Sequence, residues 1–146
     1  MKKNYDIVIL GGVGDVLGAP GDTLQKLKQT IELGGHIIID ESYLKDGSKQ
    51  EDIGYNNYKY LTKKQWDMLF EKTGLKLIET VFASDLDSEN LDRDTGMAAI
   101  TLRANELIKE HPDKKSMFEG YIRSQQNEYD DIDNNLESVI WILKKL

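Results

Sequence analysis

The sequence contains no cysteine among its 146 residues, which excludes disulfide bonds and thiolate metal sites. It also has no excess of basic charge, because 26 acidic residues outnumber 19 lysines and arginines and the formal net charge is -7. Nucleic acids and anionic membranes are bound through a basic face, so we expect neither as a partner. We therefore predict a cytoplasmic protein.

Long hydrophobic runs are absent as well. Lys2-Lys3 followed by Ile7 to Leu10 imitates the start of a signal peptide, but the apolar run stops at Gly11-Gly12 and is too short to be one. No segment has the length and hydropathy of a transmembrane span. Without an internal repeat, a linker or a low-complexity tract, the chain is predicted to form a single domain over residues 1–146.

The most informative stretch runs from Tyr5 to Gly18. Between Tyr5 and Leu10 every residue except Asp6 is apolar or aromatic, which is typical of a strand buried on both faces of a parallel sheet. Four glycines then fall within eight positions. This pattern places bare backbone at the carboxyl edge of a sheet, where open α/β folds bind their ligands.

A β-α-β unit is predicted around this loop. Asp22 is expected to cap a helix that ends at Gly34-Gly35, and the apolar segment His36 to Asp40 is expected to form the second strand. The short helix predicts a right-handed crossover between two parallel strands, so both carboxyl ends lie on one edge.

The middle of the chain alternates polar and amphipathic segments. Glu41 to Tyr60 is expected to be a long polar loop, and such a loop is usually functional or mobile. Thr62 and Gln65 form a capping box that predicts a helix closed by Gly74, and Leu75 to Ala83 is predicted to be a third strand.

The last third predicts two helices and a strand. An acidic connection over Ser84 to Asp94 precedes one helix that ends near His111-Pro112, a second that runs to about Asp130, and a final strand at Ser138 to Leu143. The predicted fold is therefore α/β with about four strands, flanking helices and a two-helix insertion over about residues 85–131.

No metal site is predicted. His36 and His111 have no partner at metal-ligand spacing. The acids between Asp85 and Asp94 lack the glycine and the glutamate of a calcium loop, so a solvated loop explains them better. The acids from Asp130 to Asp133 are interpreted as a polar connection.

One interpretation of the glycine loop, Gly11 to Gly18, is a dinucleotide-binding fingerprint. Strand, glycine loop, helix, strand and then Asp40 follow the order of a Rossmann motif. The spacing disagrees, because Gly18 comes one position too late after Gly12-Val13-Gly14. The predicted helix also begins several residues after these glycines, too far along to hold a pyrophosphate directly. A nicotinamide dinucleotide domain is kept as an alternative.

From Tyr5 onwards the sequence resembles the C-terminal half of a class I S-adenosylmethionine-dependent methyltransferase. Tyr5 to Leu10 resembles the fourth strand of that family, Leu33 to Glu41 its glycine turn and fifth strand, and Ser138 to Leu143 its antiparallel last strand. The sequence departs from the family at Leu33, where proline is usual. More narrowly, Asp40 to Tyr43 and Asp92 to Ala104 resemble a bacterial subgroup that acts on small molecules.

This resemblance implies a partial Rossmann-like methyltransferase fold with three parallel strands and a C-terminal antiparallel strand. It also implies that the cofactor is S-adenosylmethionine and that the acceptor is a small molecule. In the family, the main cofactor-binding loop and the acid that holds the ribose precede the fourth strand, so they would precede Met1. We therefore expect a truncated enzyme that binds the cofactor weakly or not at all, and that is weakly active or inactive by itself.

The resemblance assigns roles to seven residues. Gly11, Gly12 and Val13 would flank the methionine portion of the cofactor, and Asp15 would face the acceptor as the candidate catalytic residue. The substrate-binding candidates are Glu41, Tyr43 and Arg93. For Asp15 a solvated loop acid remains the alternative, and for Glu41 and Tyr43 the alternative is ordinary exposed loop.

Three classes of function remain open at this point. They are a methyltransferase whose missing half is supplied by another chain, a non-catalytic self-associating remnant, and the dinucleotide-binding domain. The first two predict that the strand at Tyr5 to Leu10 lacks a neighbour on one side. Since an apolar unpaired edge is an association site, we expect a homodimer or a partner chain to cover it.

Overall fold

The computed structural model describes residues 4–55, 58–85 and 93–146. The elements in chain order are β1 (Tyr5–Gly11), α1 (Pro20–Lys28), β2 (Ile31–Leu44), α2 (Lys63–Thr73), β3 (Leu75–Phe82), α3 (Arg93–Glu110), α4 (Lys115–Asn134) and β4 (Leu136–Lys145). Short 3-10 turns occur at Gln50–Asp52, Ala83–Asp85 and Pro112–Lys114.

The four strands form one sheet in the order β1-β2-β4-β3. β1 and β2 are parallel, and β4 is antiparallel to both of its neighbours, β2 and β3. β1, β2 and β3 therefore run in the same direction, and β4 is inserted between β2 and β3. The predicted α/β class, with three parallel strands and an antiparallel C-terminal strand, is confirmed.

The main core lies between one face of the sheet and helices α1 and α2. Trp141 of β4 is fully buried at its centre, with the ring of Trp66 at a centroid distance of 5.0 Å and that of Phe70 at 5.2 Å. These aromatic contacts add to the burial of aliphatic side chains from α1 and β2. The buried aliphatic members are Leu24, Leu27, Ile31, Ile37, Ile39, Leu75, Val139 and Leu143.

A second, smaller cluster lies at the other end of the sheet. Leu44, at the end of β2, and Leu136, at the start of β4, pack with Ile53 and Tyr60. Ile132 of α4 packs against the same cluster. This cluster attaches the segment between β2 and α2 to the last turn of α4.

Helix α1 begins earlier than predicted. Its N-cap is Ala19 and Pro20 occupies the first helical position, whereas Asp22 lies within the first turn. Proline suits this position because the amide hydrogen it lacks would have no partner inside the helix. The predicted cap at Asp22 is therefore wrong.

Strand β2 is longer than predicted at both ends. Gly34 and Gly35 lie inside it, where the register with β1 shifts, and do not end a helix. A side chain on Gly35 would place its Cβ 3.0 Å from the backbone oxygen of Glu32, so glycine permits this close approach. Beyond Asp40 the strand continues to Leu44 because β4 provides a hydrogen-bonding partner as far as Leu136.

The other predicted helices agree with the structure. Thr62 and Gln65 form the capping box of α2, and the helix is closed by Gly74. α3 and α4 occupy the predicted positions, although α4 continues past Asp130 to Asn134. Part of the predicted acidic connection, residues 86–92, falls outside the described residues.

Strand β1 forms one edge of the sheet. In the described part of the chain, its only strand neighbour is β2. Ile7 and Ile9 of β1 are 55% and 69% exposed, so the expectation that this strand is buried on both faces is wrong. Among the helices described, none has the length and apolar character to cross a membrane.

Candidate functional site

A cavity of about 380 Å³ lies where β1 ends and β2 continues. Its position beyond the carboxyl end of a parallel strand is where open α/β sheets bind ligands. Its volume lies within the range of small-molecule sites. The residues that line it come from the glycine loop, β2, the tyrosine-bearing segment before α2, and α4: Gly12, Val13, Gly14, Asp15, Asp40, Glu41, Ser42, Tyr55, Tyr58, Tyr60, Glu128 and Ile132.

The glycine loop brings backbone directly to the cavity. Gly12 and Gly14 have φ angles of +53° and +56°, in the left-handed region that other residues seldom adopt. A Cβ on Gly12 would lie 3.8 Å from Oδ2 of Asp40, and one on Gly14 would lie 3.8 Å from Cδ2 of Tyr58. The glycines therefore allow the conformation of the loop, which passes close to Asp40 on one side of the cavity and to Tyr58 on another.

Glu41 is held in a defined orientation. Its Oε1 accepts a hydrogen bond from the backbone N–H of Ser42 at 3.0 Å, and its Oε2 accepts one from the hydroxyl of Tyr58 at 3.1 Å. Burial raises the pKa of the Glu41 carboxyl; these two hydrogen bonds lower it, the charge of Asp40 raises it again, and the net direction is upward. A carboxylate with a raised pKa is a better proton acceptor near neutral pH.

Tyr58 and Tyr60 form an aromatic wall. Their rings meet edge to face with centroids 4.9 Å apart. Burial raises the pKa of both hydroxyls, and the carboxylates of Glu41 beside Tyr58 and of Glu128 beside Tyr60 raise it further. Both phenols are therefore protonated at neutral pH, and the hydroxyl of Tyr58 donates a hydrogen bond to Glu41.

Asp131 of α4 holds the segment that carries these tyrosines. This carboxylate is only 3% exposed. Its Oδ1 accepts the backbone N–H of Gly54 at 3.1 Å and its Oδ2 accepts that of Tyr55 at 2.7 Å. Farther along, the side chain of Gln50 accepts the N–H of Tyr60 at 2.8 Å. The interpretation of Asp131 as part of a polar connection is wrong, because the carboxylate is a buried anchor.

Four of the predicted site residues line the cavity together: Gly12, Val13, Asp15 and Glu41. Gly11 ends β1 at the cavity's border, paired with Asp40. Of the remaining two, Tyr43 does not line it. Tyr43 packs against the main core, where its ring stacks on Trp141 at 6.0 Å. Arg93 is the first residue of α3, and its side chain lies outside the described residues.

Tyr43 is therefore not one of the residues that line the cavity. It belongs to β2, which extends past Asp40, and its ring covers Trp141 of the neighbouring strand β4. The resemblance assigned Tyr43 to the substrate-binding residues, and the alternative was an ordinary exposed loop after Asp40. Strand pairing with Glu137 instead directs its ring to the core.

The sequence did not identify seven of the lining side chains: Asp40, Ser42, Tyr55, Tyr58, Tyr60, Glu128 and Ile132. The tyrosines had a signal, because they recur within one polar segment that follows a strand. Asp40 was expected as the acid that ends the Rossmann-like order and as part of the segment Asp40 to Tyr43, but it was not assigned to the site. No sequence pattern marked Glu128 as a site residue, because it comes from α4, which is distant in sequence from the rest of the lining.

The cavity lining is acidic. It includes the carboxylates of Asp15, Asp40, Glu41 and Glu128, and no lysine or arginine is among the described residues that form it. A positively charged sulfonium group fits these residues, whereas a pyrophosphate would be repelled. In the described parts of the chain, no group of three or more acidic or histidine side chains is arranged to hold a metal ion.

No protein-family model matches the sequence, and no curated protein matches it either. Solved structures do match its fold. A methyltransferase from Thiobacillus denitrificans, in complex with S-adenosylhomocysteine, superposes with a TM-score of 0.72 at 16% identity, over 100% of this chain and 60% of its own. A methyltransferase from Geobacter sulfurreducens, in complex with the same ligand, superposes with a TM-score of 0.71 at 20% identity, over 100% of this chain and 60% of its own.

A cyclopropane synthase from Mycobacterium tuberculosis is similar too, with a TM-score of 0.71 at 12% identity, over 99% of this chain and 57% of its own. The chain therefore has the fold of part of an S-adenosylmethionine-dependent methyltransferase, and it spans about 60% of the length of the first two structures. Because the same fold occurs in enzymes with different named activities, the reaction must be argued from the site.

Proposed function

We propose that the chain takes part in methyl transfer from S-adenosylmethionine to a small molecule. The observation that carries this proposal is the meeting of the glycine loop with Asp40 and Glu41 in one acidic cavity, at the carboxyl end of a parallel strand. The methyltransferase fold supports it. Since the chain matches only about 60% of those structures, we propose that residues outside this sequence complete the cofactor site and that these 146 residues alone are weakly active or inactive.

Each residue has a simple role in this proposal. Gly11, Gly12 and Val13 present backbone to the methionine portion of the cofactor. S-adenosylmethionine supplies an activated sulfonium methyl group, so the protein mainly has to align the acceptor and remove its proton. Glu41 is placed to receive that proton because its carboxylate lines the cavity, and Asp15 lines the same cavity from the loop.

The experiment is a titration followed through backbone amide NMR signals, with S-adenosylmethionine and with a nicotinamide dinucleotide. We expect weak binding of S-adenosylmethionine, in the range of roughly 1 mM, with shifts confined to the glycine loop and the residues around Glu41. We expect no comparable shifts with the dinucleotide. An unchanged spectrum at roughly ten times that concentration of S-adenosylmethionine, or micromolar binding of the dinucleotide, would contradict the proposal.

A pair of glycine variants distinguishes the effect of narrowing the cavity from the effect of backbone strain alone. Gly12→Ala adds a side chain toward Asp40 at a φ of +53°, whereas Gly47→Ala adds one at a φ of +92° with no atom within 4 Å. Both substitutions strain the backbone, but only the first narrows the cavity. The shifts caused by S-adenosylmethionine should disappear in Gly12→Ala and persist in Gly47→Ala.

A non-catalytic, self-associating protein is the second candidate. The observation that favours it is the apolar strand β1, whose outer edge pairs with no other described strand and whose Ile9 is 69% exposed. Unpaired apolar edges promote association with a second strand. We propose that a second copy of the chain or a partner chain covers this edge, which is compatible with either function.

A further inference from the structure

The walls of the cavity indicate which class of acceptor it takes. Three tyrosines, Tyr55, Tyr58 and Tyr60, line it beside the carboxylates, and Tyr58 and Tyr60 meet edge to face. Aromatic rings attract cations through their negatively charged faces, and ammonium groups are bound in cages of such rings. The aromatic wall and the acidic lining thus favour the same charge.

Glu41 is the best placed of the carboxylates to face a bound cation. Its two oxygens each accept one hydrogen bond, from Ser42 and from Tyr58, and each keeps a further lone pair for a ligand. The hydrogen bonds fix the direction of the carboxylate before a ligand arrives. Asp40, the preceding residue, and Glu128 of α4 add negative charge to the same cavity lining.

Other acceptor classes fit these walls poorly. A carboxylate or phosphate acceptor would lie among four carboxylates with no cationic side chain from the described residues to offset its charge. A neutral acceptor would gain no ionic attraction from these four carboxylates. A metal ion is not favoured either, because the described residues offer no group of three suitable ligands. An organic cation fits both features, because it can contact the tyrosine rings and pair with the carboxylates.

We infer that the acceptor is a small molecule with an ammonium group, bound between the tyrosine rings and the Glu41 carboxylate. This inference rests on the proposed function. In the transfer, the ammonium nitrogen first loses a proton to Glu41, which passes it to solvent. The nitrogen lone pair then forms a bond to the methyl carbon of S-adenosylmethionine while the carbon–sulfur bond breaks and its electron pair remains on sulfur.

The test uses two probes of equal shape and different charge, choline and 3,3-dimethylbutan-1-ol, titrated into the full chain and followed by amide NMR. Choline should bind with shifts at Glu41, Tyr58 and the glycine loop, and the neutral alcohol should bind roughly tenfold more weakly or not at all. Equal binding of the two probes, or no binding of choline, would overturn the inference. This comparison needs no variant, so it does not depend on whether a variant folds.

Two glutamate variants then assign the effect to the site. Glu41→Gln keeps the size of the side chain and removes its charge, and we expect it to weaken choline binding roughly tenfold. Glu79→Gln changes an exposed glutamate of β3 and should leave choline binding unchanged. Choline binding that is insensitive to Glu41→Gln would overturn the inference.

The outcomes also separate this inference from the proposed function. If S-adenosylmethionine causes shifts in the glycine loop and choline does not, the methyltransferase proposal stands and the ammonium acceptor is wrong. If choline binds and S-adenosylmethionine does not, the proposed function fails while the cation site remains. S-adenosylhomocysteine, which lacks the positive sulfonium, shows whether the cavity's charge acts on the donor instead. A large preference for S-adenosylmethionine over S-adenosylhomocysteine, without choline binding, would assign the acids to the donor.

Discussion

Asp131 shows at the scale of one residue how the tyrosine wall is kept in place. A buried carboxylate is stable only when its oxygens are well paired. Here Oδ1 receives the N–H of Gly54 and the side-chain amide of Asn135 at 3.2 Å, and Oδ2 receives the N–H of Tyr55. These bonds join the last turn of α4 to a segment more than seventy residues earlier in the chain.

We predict that Asp131→Asn destabilises the protein by about 1–3 kcal/mol, because one acceptor becomes an N–H₂ donor that faces other donors in a buried position. Urea denaturation measures this loss. The matched control is Asp130→Asn, which makes the same chemical change at an exposed neighbour and should alter the free energy of unfolding by less than about 0.5 kcal/mol. Equal effects of the two substitutions would show that Asp131 is not the anchor.

Glu41 is the second residue whose role depends on tertiary contacts. In the sequence it follows a predicted strand and has no visible partner. In the fold it is half-buried, because Tyr58 reaches it from the loop and β2 continues past it. Its raised pKa follows from that burial, since removing water disfavours the charged form.

Helix α2 shows at the scale of one element how far local sequence can determine structure. The hydroxyl of Thr62 accepts the N–H of Gln65 at 3.3 Å, and the side chain of Gln65 accepts the N–H of Thr62 at 2.8 Å. Both partners lie three residues apart, so the pattern is complete before any tertiary contact forms. The helix then buries Trp66 and Phe70 against the sheet.

Removing this cap should weaken the main core through the helix that carries it. We predict that Thr62→Ala lowers the free energy of unfolding by about 1 kcal/mol, because the first turn of α2 loses its side-chain acceptor. Thermal and urea denaturation measure the change. Lys64→Ala, at an exposed position in the same turn, serves as the control and should be close to neutral. A Thr62→Ala protein as stable as the Lys64→Ala protein would contradict the role of the cap.

β2 shows the opposite case, an element that local sequence predicts only in part. Its apolar centre, Ile37 to Ile39, was expected from composition alone. Its extension through Ser42 and Tyr43 has the polar character of a loop, yet it pairs with β4, and the hydroxyls of Ser42 and Ser138 lie 3.0 Å apart across the two strands. A strand that borders another strand can therefore include residues that local propensity assigns to a loop.

At the scale of the whole molecule, the outer edge of β1 has no strand neighbour among the described residues. One face of the sheet carries α1 and α2. On the other face the register aligns Ile9, Ile38 and Ile142 across three neighbouring strands, and all three are at least partly exposed. An apolar face next to an unpaired strand edge is unusual for an isolated chain in water.

We predict that the chain associates with itself through β1 at concentrations of tens of micromolar. Light scattering combined with size-exclusion chromatography measures the mass directly. Ile9→Lys places a charge on the exposed side of the edge strand and should weaken this association roughly tenfold or more. Leu102→Lys introduces the same charge on α3, at a leucine that is 65% exposed, and should not alter it. A clean monomer for the unaltered chain would contradict the prediction.

The sequence by itself determined the class of fold and most of its elements. The apolar strands at the ends of the chain, the capping box of α2 and the helices α3 and α4 follow from patterns within a few residues of one another, and such patterns act through local conformational preference and burial. The resemblance of its segments to a known family, together with their order, also indicated a partial methyltransferase fold. The glycine loop and Glu41 were expected at one edge because parallel strands end together.

Tertiary structure alone decided the composition of the cavity. Tyr58 and Glu128 reach Glu41 from different elements, and Asp131 holds the tyrosine segment across a long stretch of sequence. Tyr43 points to the core because β4 lies beside it, which no pattern around Tyr43 reveals. Burial, cross-strand pairing and long-range hydrogen bonds are properties of residues that meet only in the folded chain. The charge and the aromatic character of the site therefore emerge from the fold, and the glycines only mark its position.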